Sequence, residues 1–328
     1  MFNFDVHPLA TWRISLRAEV LQLFAPVLLL LLLSATYYAW AHRRSARGCW
    51  RGVRESILPA RIFNHPSARI DALMLSLSVV LWQPLISVAT SIFVGVNVSE
   101  LLNSQFGENA PILHSPALIF AAEGLVSLLS VQFAFYAMHR LCHANPLMWR
   151  IHRVHHSAEA LNFMTASRTH PLEILLFQMP TAILSGTALG LFLHLAGTPI
   201  SPALPVAQTI LVLVRGVVNL IHHSHFDLSF GIFDYIFVSA RTHRIHHSIE
   251  AEHGDKNFGG VLAIYDWMFG TLYIPQPHEV FRVGLDDHHL GINNPHLRLR
   301  DCYLDPLLYV RDGIMARLRT RKTATPAE

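Results

Sequence analysis

The chain has 328 residues, 52% of them hydrophobic and only 14% charged, against about 25% charged in an ordinary soluble domain. That balance argues against a soluble globular fold. A net charge of +3, with arginines placed beside apolar segments, reads as a membrane-topology signal and gives no footprint for nucleic acid.

The first apolar run, Leu21 to Ala41, carries no charge and at about 1.5 Å per residue is long enough for roughly 30 Å of hydrocarbon. It has no small-residue cleavage site, so it is expected to stay in the protein. Arg43, Arg44, Arg47, Arg51, Arg54, Arg61 and Arg69 follow it, whereas the loop expected over Ser99 to Ser115 has no Lys or Arg but carries Glu100 and Glu108. The positive-inside rule therefore puts the first loop in the cytoplasm.

Further apolar stretches run over Ala72 to Val98, Pro116 to Met138, Leu172 to Ala196 and Ala203 to Ile221, with Glu123, Glu173 and Arg215 as their charged residues. The fold class expected is all-α: a multi-pass transmembrane bundle of about four or five spans with a cap on the cytoplasmic face. Gly197, Pro199, Pro202 and Pro205 predict a hairpin between the last two stretches. That hairpin returns the chain at His222 to the face it left at His156. No linker divides the chain, and its regions are 1–115 (N-terminal transmembrane), 116–275 (catalytic) and 276–328 (a cytoplasmic C-terminal tail, basic at Arg298 to Arg300 and Arg317 to Lys322, expected to be solvated and partly disordered).

The chemistry lies in the histidines, of which there are 22. One block reads His139-x3-His143, then His152-x2-His155-His156. The other reads Asn219-x2-His222-His223-x-His225, then His243-x2-His246-His247. Residues three and four apart share one face of a helix, so each box can aim its imidazoles at a common centre. Eight or more nitrogens exceed what one ion accepts, which points to two metal ions.

No His-Glu-x-x-His is present, and Glu250-Ala-Glu-His253 lies outside any apolar helix, so neither the zinc-protease helix nor the carboxylate-rich soluble di-iron bundle fits. Cys49, Cys142 and Cys302 form no metal ribbon or disulfide framework, and Cys142 is expected to pack. His7, His42, His65, His114, His194, His278, His288, His289 and His296 lack partners at ligand spacing and are read as structural. Arg140, Arg153 and Arg244 are read as snorkelling to the membrane surface.

These boxes, with Thr165 to Glu173 and the closing Asp255-Lys-Asn257-Phe-Gly-Gly and Asp266-Trp-Met-Phe-Gly-Thr271, resemble the fatty acid hydroxylase and sterol desaturase superfamily of integral-membrane di-iron oxygenases over roughly Pro116 to Pro275. The resemblance implies two iron ions held by His139, His143, His152, His155, His156, His223, His243, His246 and His247, with Asn219 acting through water as in the related acyl-CoA desaturases. His222 and His225 remain alternatives to His223. His170, Asn257 and Asp266 are candidates to orient a ligand from behind, with capping as the plain role for Asp266.

The resemblance also implies hydroxylation or desaturation of an acyl chain or sterol, with O2 as co-substrate and no side chain as nucleophile. The chain shows neither a dinucleotide fingerprint nor a cysteine cluster, so electrons are expected from a separate reductase with a ferredoxin or cytochrome b5-like donor. The expected location is a bacterial inner membrane or the endoplasmic reticulum, with the site facing the cytoplasm. The competing class is a membrane metal-binding or metal-transport protein; histidines at helix ends instead of span centres weigh against it.

Overall fold

The computed structural model describes residues 57–78, 90–276, 279–285 and 294–323, together with Leu32 and Glu55. Among them every regular element is helical, with two isolated bridges, Phe237 to Leu262 and Ser248 to Val283. The expected span Leu21 to Ala41 lies outside the described residues apart from Leu32.

Five of the α-helices start with a proline in the first turn, and at three of them a side chain caps the backbone behind it. α1 (Pro66–Leu77) begins behind His65, whose ring accepts from the Ser67 N–H. α2 (Thr90–Phe106) continues past Val98, so Ser99 to Phe106, expected to be loop, is helix; Ser104 and Asn97 satisfy their side chains on its own carbonyls. Residues 79–89 of the expected Ala72 to Val98 span lie outside the described residues.

α3 (Pro116–Ala144) and α5 (Pro171–Ala196) are long and apolar enough to cross a membrane, and only 22% of the most apolar window of each is buried. A helix at the centre of a soluble protein would be mostly buried. α6 (Leu204–His223) returns antiparallel to α5 after Gly197, which ends α5 in the left-handed conformation at φ 62°. Glu123 of α3 accepts the Ser201 N–H at 2.8 Å and ties this turn to the bundle.

α2 and α5 pack closely because Gly186 and Gly190 lie one turn apart on the contact face. A Cβ on Gly190 would come 2.5 Å from the Gly95 carbonyl oxygen, and one on Gly186 2.6 Å from that of Ser91. Small residues at this spacing let helix backbones touch.

At the other end α3 breaks at Asn145, whose side chain accepts from the Leu147 and Met148 N–H groups and starts α4 (Pro146–His156). This corner folds α4 back against the last turns of α3. α7 (Ala240–His246) starts from a capping box between Ser239 and Thr242, and α8 (Ile264–Met268) lies against α3.

The segment 276–328, expected as a partly disordered tail, carries α9 (Leu299–Thr323), whose Cys302 packs with Ile70, Met74 and Val154. Beside that core, Arg168 is fully buried and binds Asp71 at 2.8 Å, the carbonyls of Val154 and His296, and the hydroxyls of Ser67 and Ser157. One guanidinium thus joins α1, the end of α4 and the approach to α9.

Candidate metal centre

The α3–α4 corner sets His139 and His143 against His152, His155 and His156, and the α5–α6 hairpin brings His223 to the same place. Two groups result: His139, His143, His152, His156 and His246, and beside it His155, His223, His243 and His247, with all ligand atoms in each group within 4.8 Å of one another. The groups share a wall, where the rings of His156 and His247 stack with centroids 4.6 Å apart. This is a histidine cluster built to bind metal.

Hydrogen bonds fix the tautomers of four of the nine histidines. A carbonyl oxygen only accepts, so Nδ1 of His139 donates to Phe258 O at 2.8 Å, Nδ1 of His246 to Lys256 O at 2.8 Å and Nδ1 of His223 to Asn219 O at 2.8 Å. Nδ1 of His152 donates to the Glu173 carboxylate at 2.7 Å. With the proton on Nδ1, each Nε2 presents a bare lone pair to the interior of its group.

Those lone pairs converge. Nε2 of His139 and Nε2 of His152 are 3.1 Å apart, and Nε2 of His156 lies 3.1 Å from His152 and 3.2 Å from His143. In the second group Nε2 of His223 lies 3.0 Å from His155, 3.1 Å from His243 and 3.2 Å from His247. Two lone pairs repel unless a cation lies between them, and three imidazoles cannot all donate to one lone pair. Metal–nitrogen bonds of about 2.0–2.1 Å give nitrogen–nitrogen edges of roughly 2.8–3.0 Å in an octahedral shell and roughly 3.3–3.4 Å in a tetrahedral one, a range that brackets the observed spacing, so each group fits a metal ion. Nε2 of His246 is buried with no hydrogen-bond partner in the first group.

A proton is a poor substitute for that metal. Burial first, and then the charges of neighbouring imidazoles, push His152, His156, His243 and His247 well below the ordinary imidazole value of 6.5. Neutral imidazole is the ligand form.

The three candidates behind the ligands do other work than direct contact. His170 caps α5 with Nδ1 on the Leu172 N–H and reaches Tyr303 O through Nε2, which positions Glu173 one turn on. Asn257 is left-handed at φ 57° and braces Thr242 O, Tyr273 O and the Tyr273 N–H. Its two neighbours, Lys256 and Phe258, thereby aim their carbonyls at His246 and His139. Asp266 accepts from the Phe258 and Gly259 N–H groups, both at 2.7 Å, and locks the same loop.

Asn219 is exposed, and the structure brings only its backbone carbonyl to the site. Of the alternatives to His223, His222 turns Nε2 to Val238 O at 2.8 Å, and His225 lies against Phe226. Glu173 and the carbonyls of Lys256 and Phe258 escaped the sequence reading. Glu173 had left a signal, an ionisable residue in an apolar stretch beside His170, which marks function in a membrane segment. A third group, Glu252, His253 and Glu279, is closed by its own bonds: His253 uses both nitrogens, on Ser248 at 2.8 Å and Glu279 at 2.7 Å.

Away from the histidines, an apolar cleft of about 590 Å³ lies between α3 and α6, lined by Phe120, Leu125, Leu128, Ala207 and Ile210 among others. Nearer the metal groups, Phe135 packs on His139 and Phe177, and the Arg215 guanidinium lies over its ring, 4.6 Å from the centre.

Comparison with known proteins agrees with this geometry. Residues 124–271 match the fatty acid hydroxylase family. The chain is 29% identical over 206 residues to an ornithine lipid hydroxylase of Rhizobium tropici, covering 58% of this chain and 57% of that one. It is 30% identical over 145 residues to the human alkylglycerol monooxygenase, 44% of this chain and 29% of that one, and 26% identical over 200 residues to methylsterol monooxygenase 2-2 of Arabidopsis thaliana, 54% and 68%. The first two relatives thus match over little more than half and less than a third of their own length. No solved structure matches the chain. Residues 124–271, which hold every histidine of the two groups, are a fatty acid hydroxylase domain of the same superfamily as these hydroxylases and monooxygenases.

Proposed function

We propose that this protein is a multi-pass membrane oxygenase that uses two iron ions, one in each histidine group, and O2 to hydroxylate an aliphatic lipid, an acyl chain or a sterol. The observation that carries the proposal is the pair of Nε2 lone-pair clusters, nitrogen-rich, buried and held in register by Glu173 and three backbone carbonyls. The names of the relatives, two of them monooxygenases and one a lipid hydroxylase, support the reaction class. Iron so bound would supply the power to activate O2 against an unactivated C–H bond, which no side chain has.

The chain's own residues orient and exclude. His139, His143, His152, His156 and His246 would hold one ion, and His155, His223, His243 and His247 the other. Glu173 and the Lys256–Phe258 loop keep the imidazoles in the ligating tautomer. Phe135 and Phe177 cover the first group with apolar surface that keeps water from the reacting carbon. The α3–α6 cleft suits the remainder of a lipid tail.

Electrons come from a separate reductase with a ferredoxin or cytochrome b5-like donor, at the cytoplasmic face that the arginine-rich first loop defines. A transport role is disfavoured, because the histidines form two closed groups at helix ends and not a file along a span.

The test is to express the protein in a host lacking it and to profile lipids by mass spectrometry. A lipid species heavier by one oxygen atom, absent with His246→Ala, is expected. Unchanged lipids from an iron-loaded, correctly folded protein supplied with a reductase system would refute the reaction, and loss of two hydrogens would shift it to desaturation.

A further inference from the structure

Two segments outside the long helices present apolar surface outward. Between α6 and α7, Phe230, Ile232, Phe233, Tyr235 and Ile236 are exposed, Ile232 to 74%. Next to them Trp267, Met268 and Phe269 are exposed, Trp267 to 64%. Backbone bonds join the segments into one surface: Val238 N–H donates to Val261 O at 2.9 Å and Ala263 N–H to Ile236 O at 2.8 Å.

Both segments hide their charge. Asp234 is buried and accepts from the Ser229 hydroxyl and the Phe230 N–H, and Asp266 is buried under Phe258 and Gly259. Carboxylates inside and aromatic rings outside invert the arrangement of a loop that faces water.

Position along α3 says what covers this surface. The Tyr265 hydroxyl donates to Leu129 O at 2.8 Å, and Phe269 stacks on Tyr136 at 5.4 Å and meets Phe133 at 6.3 Å. Leu129 and Phe133 are themselves exposed and continue the apolar stripe of α3. At 29 residues, α3 is about 43 Å long against about 30 Å of hydrocarbon, which leaves roughly the last two and a half turns, those bearing His139 and His143, beyond the acyl region. Tyr136 then lies at its edge, where Trp and Tyr side chains concentrate, and Leu129 about 10 Å inside it. Arg140, bonded to the Tyr136 hydroxyl at 3.2 Å, stands nearby, suited to a lipid phosphate.

We propose that Phe230–Phe237 together with Trp267–Phe269 is a membrane-dipping anchor, seated in the headgroup and upper acyl region of the leaflet nearest the metal groups. The partner is the bilayer itself. The anchor fastens the histidine-bearing cap to the lipid surface from a second direction, so a lipid reaches the site without crossing water. It rests on the membrane reading of α3 and not on the oxygenase chemistry.

Spin labels on Ile232→Cys and Trp267→Cys, in a Cys49→Ser background that keeps the buried Cys142 and Cys302, test it in anionic nanodiscs. Leu125→Cys on the exposed face of α3 is the lipid control, and Glu252→Cys the aqueous one. Thermal denaturation beside the Cys49→Ser parent checks each variant's fold. Labels at 232 and 267 are expected to be relaxed by oxygen and shielded from a water-soluble nickel chelate, as at 125 and unlike 252. Nickel access at 232 and 267 with a lipid-like 125 overturns the anchor alone. Nickel access at 125 as well overturns the membrane reading with it. Shielding from both reagents at 232 and 267 means that protein, such as a second copy of the chain, covers the surface, and overturns the anchor.

Discussion

Glu173 sits in the first turn of α5, where its carboxylate accepts a hydrogen bond from Nδ1 of His152 at 2.7 Å. Removing such a partner typically costs about 10–100-fold in metal affinity. Glu173→Ala is therefore expected to weaken the five-histidine group by that factor in a chelator competition while the four-histidine group keeps its ion, and Glu173→Gln, which retains an acceptor oxygen, should recover most of the loss. Equal affinity in all three proteins would contradict the role. The histidines themselves were legible because ligand spacing of three and four is a property of a single helix. Glu173 pairs with a residue 21 positions away, and only the fold brings the two together. The same reason hid the register at the end of α6: His223→Ala should remove about one metal equivalent, whereas Asn219→Ala, which keeps the carbonyl that His223 uses, should remove none.

pH acts at the same scale. Burial holds the imidazoles of His152, His155, His156, His243, His246 and His247 below the ordinary value of 6.5 in the folded protein. The unfolded chain then binds more protons below that value than the folded one. Stability from these neutral rings is fully present above pH 6.5 and is lost as the pH falls towards the lower folded values. Metal-free protein is expected to melt progressively lower in acid below that pH, measured by thermal denaturation in detergent with a chelator, and a flat profile from neutrality downward would count against burial of the neutral set.

Among the elements, the α3–α4 corner at Asn145 and Pro146 was not read from the sequence, whereas the α5–α6 hairpin was foreshadowed by Gly197 and its neighbouring prolines. The junction around Arg168 was not. Its partners come from Ser67, Asp71, Val154, Ser157 and His296, five points spread over the chain, and no local pattern announces that set. Arg168→Ala would leave Asp71, itself fully buried, with Asn162 and Thr165 but no cation. A broken buried pair costs about 3–5 kcal/mol, and the lowered melting temperature should come with poorer metal retention, since Arg168 holds the last turn of α4. The helix contact at Gly190 makes a separate prediction: Gly190→Val forces α5 away from Gly95 and Val98 of α2 and should lower the melting temperature without changing the histidine spacing, seen as normal metal content at low temperature.

At the scale of the molecule, hydropathy located α3, α5 and the returning α6, but it read Ser99 to Phe106 as loop and the C-terminal region as tail. Both are helices because they have neighbours: α2 packs on the glycine face of α5, and α9 packs Cys302 into the core with Ile70, Met74 and Val154. A window of sequence reports its own polarity and not the surface waiting for it. The two histidine blocks, far apart in the chain, become one cluster only because the hairpin length brings His223 within 3.0 Å of His155. That convergence is the centre of the functional proposal, and its most direct test is elemental analysis of protein purified in detergent from iron-supplemented cells. The proposal predicts close to two irons per chain, falling to about one in His223→Ala with the five-histidine group intact; a folded protein that holds no metal, or a single ion shared by both groups, would contradict it.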